Sequence, residues 1–202
     1  MRKHFLLLFL MAVLPLAGWA DEPVYVSLFP ANYEPYYGAN IPDDGAQALP
    51  EMIGLNGALP DGVTIDKLAQ CLIFERVGDK TSKTQGIYAY KLTKKANYQT
   101  SVNGMSNVEI AVVGGNGTMY IKKKPITITA DDKNKNYGAV DPAEFTATVT
   151  GGLVGEETLT YTVSREEGEN AGEYPIKVTV TENAVSDNYD ITRVDEIGRA
   201  HV

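Results

Sequence analysis

The tripeptide Tyr37-Gly38-Ala39 returns one hundred residues later as Tyr137-Gly138-Ala139, and landmarks follow each copy in the same order. Gly86-Ile87-Tyr88 corresponds to Gly172-Glu173-Tyr174, and Asn97-Tyr98 to Asn188-Tyr189. A chain that repeats itself is built from modules, and its function is sought in a module and its neighbours. The pattern points to a repeat protein and away from an enzyme. The marker residues are Tyr37, Gly38, Tyr137, Gly138, Gly172, Tyr174, Asn188 and Tyr189, and each is expected to serve structure.

The two ends stand outside the repeat. Arg2 and Lys3 open a segment whose apolar run, Phe5 to Leu16, ends in Gly18-Trp19-Ala20. That is the pattern of a cleaved secretory signal over 1–20, and the run is too short to anchor the chain across a bilayer. No membrane span is expected after it. At the other end, 196–202 (Glu-Ile-Gly-Arg-Ala-His-Val) shows no structural pattern and reads as a non-native tail, similar to a translated sequencing adapter.

Charge and histidine count exclude several functions. Without Arg2 and Lys3, 18 basic side chains become 16 against 26 acidic ones, a formal charge of −10. Nucleic acid would be repelled by that balance. The two histidines, His4 and His201, lie in the signal segment and the tail. A native mature chain without histidine has no Ser-His or Cys-His nucleophile pair and none of the usual histidine-bearing zinc sites. Cys71 is the single cysteine, so no internal disulfide forms. Its setting, Cys71-Leu72-Ile73-Phe74, suits a buried structural thiol.

Alternation of apolar and polar residues carries the fold. In the second unit, Ile126 to Thr129, Phe145 to Thr150, Leu159 to Val163, Tyr174 to Val180 and Tyr189 to Val194 read as strands of an antiparallel module of about 70 residues. Tyr137 is expected to seal a core edge and Gly138 to take a backbone shape closed to other residues. In the first unit, Tyr25 to Phe29, Leu72 to Val77, Ile87 to Leu92, Val108 to Val113 and Thr118 to Ile121 are strands, and Asp61 to Gln70 a short helix capped by Thr64. Gly114-Gly115-Asn116-Gly117 has hairpin-turn composition between the last two. The organisation is therefore a first module over 21–122, a joint at 123–125, and a second module over 126–195. That second module lacks a counterpart of the closing strand at Thr118 to Lys122, which leaves an open sheet edge.

Residues 124–194 resemble the MBG-type repeat of bacterial surface proteins in its Tyr-Gly variety. The match is carried by Pro125 to Asp131, Tyr137-Gly138, Asp141-Pro142, Thr150 to Leu153, Gly172-Glu173-Tyr174 with Ile176, and Asn188 to Ile191. The first module keeps Tyr37-Gly38, Gly86 with Tyr88, and Asn97-Tyr98, but departs over 40–75. The resemblance implies a small, mostly β, β-grasp-like module repeated in tandem in adhesin-like or secreted proteins. It brings no catalytic residues. Immunoglobulin-like sandwich repeats are the alternative architecture.

Other motifs weigh little. Asp132 to Asn136 has the D-x-N-x-N spacing of a calcium loop, but Tyr137 replaces its glycine and Ala143 its closing glutamate. Glu156-Glu157 and Glu166-Glu167 read as solvated turn residues. Lys122 to Lys124 reads as a solvated joint. Tyr33, Tyr36 and Tyr37 form a cluster able to stack on a sugar ring. No cofactor and no metal is expected. The partner would be an unknown extracellular ligand (a host or matrix protein, or a glycan), with further repeats of the same chain downstream.

Overall fold

The computed structural model describes residues 22–201. The signal segment expected at 1–20 lies outside them. Two modules follow one another, both mostly β. The first contains β1 (Val24–Pro30), β2 (Ile53–Leu55), α1 (Ile65–Gln70), β3 (Leu72–Val77), β4 (Gly86–Lys94), α2 (Tyr98–Ser101), β5 (Val108–Val112) and β6 (Gly117–Ile121). The second contains β7 (Lys124–Ala130), β8 (Asn134–Asn136), β9 (Ala147–Thr150), β10 (Tyr161–Arg165), β11 (Gly172–Val180), β12 (Tyr189–Val194) and β13 (Glu196–His201).

Sheet by sheet, the modules repeat one plan. β2 and β5 flank β1 in the first, and β9 and β12 flank β7 in the second. β3-β4-β6 recurs as β10-β11-β13. The mostly β reading holds, and parallel pairs join the antiparallel ones that the sequence pattern leads one to expect. β1 runs parallel to β5 and β7 parallel to β12, so each module is mixed, and an all-antiparallel sandwich does not describe it. Parallel neighbours need a long crossover. The whole β2-to-α2 stretch serves as that crossover between β1 and β5.

Register fixes the correspondence residue by residue. Val24 pairs with Val108 and Lys124 with Tyr189, so the counterpart of Asn188-Tyr189 is Asn107-Val108. The sequence match to Asn97-Tyr98 is thereby corrected. Tyr98 sits on α2 instead, where its hydroxyl donates to the Val108 carbonyl at 2.9 Å and accepts from the Ile110 N–H at 3.0 Å.

The hairpin expected at 114–117 does not form. β5 belongs with β1 and β6 with β4, so this turn carries the chain from one sheet to the other. Gly117 is needed at the crossing. A Cβ there would lie 2.7 Å from the Tyr90 ring and 2.8 Å from Pro30.

The closing strand expected to be missing from the second module is in place. Residues 196–201, set apart above as a tail without pattern, form β13, antiparallel to β11 and parallel to β8. Its register is that of β6: Gly86 faces Ile121 as Gly172 faces Ala200, and Tyr36 faces Lys122 as Asn136 faces His201. Backbone N–H and C=O groups make such a ladder, so a sheet slot demands little of the side chains that fill it.

α1 begins at its expected cap, with Thr64 Oγ1 accepting from the Lys67 N–H at 3.2 Å. Leu68 and Ala69 on its inner face, and Cys71 just after it, are fully buried. The cores differ in size. Twenty-one buried residues cluster in the first module, among them Leu28, Met52, Phe74, Tyr90 and Met119. Among the described residues the second cluster holds four, Ile128, Ala130, Ile176 and Val178. A core so small supplies little burial energy, and neighbour contacts matter more to it.

Candidate functional site

The repeat markers converge at the joint between modules. Tyr36 to Ala39 form a tight turn closed by the Ala39 N–H on the Tyr36 carbonyl at 3.0 Å, with Gly38 at φ +81°. The end of the first module is tied to this corner. The Lys122 N–H donates to Pro35 and the Tyr37 N–H to the Lys122 carbonyl, both at 2.8 Å. Since β7 starts at Lys124, the joint expected at 123–125 shrinks to Lys123 alone. The lysine run is structured too: the Lys122 ammonium lies 4.7 Å from the Tyr36 ring centre and 3.7 Å from Glu34.

From the second module come Val154, Glu157, Asn188 and Tyr189. The Tyr37 hydroxyl donates to one oxygen of the Glu157 carboxylate at 2.6 Å. The Tyr189 hydroxyl donates to the other at 2.5 Å and accepts from the Val154 N–H at 2.8 Å. The two rings meet edge to face, 5.6 Å apart at 86°. Val154 covers Gly38 so closely that a Cβ there would lie 2.4 Å from its Cγ2. Beside this cluster the Gln85 N–H donates to Asn188 Oδ1 at 3.0 Å.

One carboxylate thus holds two phenols, one from each module. A hydrogen bond to a charged group contributes about 1.5–3 kcal/mol, and an edge-to-face aromatic pair about 0.5–1.5 kcal/mol. Burial, reinforced by the Glu157 carboxylate, pushes the Tyr37 phenol up to about 12. Tyr189 is pushed to about 12 for the same reasons, against the opposing Val154 N–H. Both phenols stay protonated at neutral pH, as donors to a carboxylate must. The arrangement is a clasp. Glu157, read from sequence as a solvated turn residue, is its centre.

The other markers fall elsewhere. Tyr174 stands at the β11 edge, with the Arg165 guanidinium 4.8 Å from its ring centre and its hydroxyl on the Asn170 carbonyl at 2.8 Å. Tyr88 repeats this in the first module, with Arg76 at 5.3 Å and the Thr84 carbonyl at 3.0 Å. Gly172 opens β11 beside Tyr174. Tyr137 does not seal a core edge: it is 60 % exposed, and a Cβ on Gly138 would meet nothing within 4 Å.

The calcium-like spacing dissolves into β8. There the ammonium of Lys135, whose side chain is 7 % exposed, bridges Asp141 at 3.0 Å and Glu169 at 2.7 Å. Arg165 and Lys135 hold the Asp141 carboxyl below its ordinary range. The cavity beside these groups encloses about 10 Å³, far below the size of a substrate site. A polar depression of about 220 Å³ between Lys123, Glu182, Asp190 and Arg193 also falls short of it.

A family model described as MBG domain (YGX type) matches residues 126–197. The second module is therefore of that type, and its match includes Tyr137-Gly138 and runs into β13. No curated protein and no solved structure matches the chain. No helix among the described residues is long and apolar enough to cross a membrane.

Proposed function

We propose that this chain is a non-enzymatic, exported repeat segment that spaces or presents an adhesive part of a larger bacterial cell-surface or secreted protein. One observation carries the reading: the Tyr37–Glu157–Tyr189 clasp, with a single linking residue beside it, links the two modules across their joint. A spacer needs that coupling, because modules on a free linker would fold back on each other and lose reach. The signal pattern at 1–20 and the MBG type of the second module support export and a surface setting.

Spin labels on exposed positions of β3 and β10 would measure the coupling. A narrow distance distribution is expected, broadening several-fold in Glu157→Ala. Equally broad distributions in both proteins would overturn the spacer reading. Export is tested separately by fusing 1–25 to a reporter that is active only outside the cytoplasm.

A carbohydrate-binding reading draws on Tyr36, a residue 51 % exposed. Lys122 already sits against that ring. Glycan-array binding that disappears in Tyr36→Ala would favour this second reading.

A further inference from the structure

The clasp has two halves, and the second module displays a free copy of one. The corner at 136–139 repeats the corner at 36–39 in backbone detail. The Ala139 N–H reaches the Asn136 carbonyl at 3.0 Å, as Ala39 reaches Tyr36, and Gly138 has φ +74° against +81°. Gly38 lies under Val154 and Tyr37 is clasped, whereas Tyr137 and Val140 are 60 % and 91 % exposed.

The chain also leaves both modules at the same place. In the first, Lys122 pairs with Tyr36 and the next module begins two residues later. In the second, His201 pairs with Asn136 in the same parallel register. A module attached after His201 would emerge beside Tyr137-Gly138 as the second module emerges beside Tyr37-Gly38. Its Val154, Glu157 and Tyr189 equivalents would then reach Tyr137.

We propose that the Tyr137-Gly138 corner is a docking site for a further module of the same type, which clasps Tyr137 through a glutamate and a tyrosine and covers Gly138 with an aliphatic side chain. The occupant is set by continuity with the joint already formed: the same turn, the same exit strand, the same register. This inference rests on the coupled-module reading above.

The test extends the full chain through His201 by a second copy of 123–201, so that His201 stands before the copy's Lys123 as Lys122 does in the existing joint. Two additional phenols, Tyr137 and the copy's Tyr189 equivalent, should then titrate late in an absorbance titration. Tyr137→Phe should leave the original chain unchanged, lower the thermal midpoint of the extended one by several degrees, and remove one late-titrating phenol from it. A Tyr137 that ionises identically in both chains, with Tyr137→Phe silent in both, overturns the proposal. Tyr37→Phe in the same extended chain is the control. If it loosens the first joint while Tyr137→Phe is silent, docking fails and module coupling stands. If both are silent, the coupling reading fails as well.

Discussion

Gly38 and Gly138 have the same backbone conformation in different surroundings, so they separate local strain from contact across the joint. Either substitution by alanine forces a side chain into the left-handed region, at a cost of about 1–2 kcal/mol. At Gly138 nothing else opposes the new methyl group. At Gly38 it would press into Val154, and forcing extra volume into a packed contact costs a further ~1–3 kcal/mol. Gly38→Ala is therefore expected to destabilise the chain clearly more than Gly138→Ala in paired chemical denaturation. Equal losses would show that Val154 yields freely. The Tyr-Gly repeat was plain in the sequence, but Glu157 as its partner was not. It lies 120 positions from Tyr37 in an ordinary-looking turn, and only the folding of two modules brings them together.

Strand patterning made most elements legible, because alternation is a local property. Ile126 to Thr129 within β7 comes straight from it, and the Thr64 cap comes from an equally local helix-start signal. Pairing is not local, and there the reading departed from the fold: β5 and β6, adjacent across a glycine-rich turn, join different sheets, and β1 and β5 pair in parallel. β13 escaped for another reason. Glu196–His201 has no alternation to detect, yet it fills the slot between β11 and β8 through its backbone. Deleting 196–202 should expose both edges and remove cover from Ile176, a residue of the second core cluster. The thermal midpoint of that module is expected to fall by several degrees, with dye binding and aggregation rising. An unchanged midpoint would mean that β13 contributes nothing to the sheet.

At the scale of the molecule, the clasp makes the joint sensitive to alkali. The sign follows from the two phenols. Tyr37 and Tyr189 ionise near 12 in the folded chain, against about 10 for an exposed tyrosine. Between those values the folded state holds more protons than the unfolded one, so stability falls as pH rises. The contribution is intact below about pH 10 and gone once pH passes about 12. The second module should feel this most, since its own core cluster is small. Following the thermal midpoint from pH 8 to 12 should show a decline beginning near pH 10. Tyr37→Phe, which cannot ionise there, should start from a lower midpoint and decline less steeply. If wild type and Tyr37→Phe decline in parallel across this range, the alkaline sensitivity lies in some other group, and the clasp does not govern how the two modules hold together.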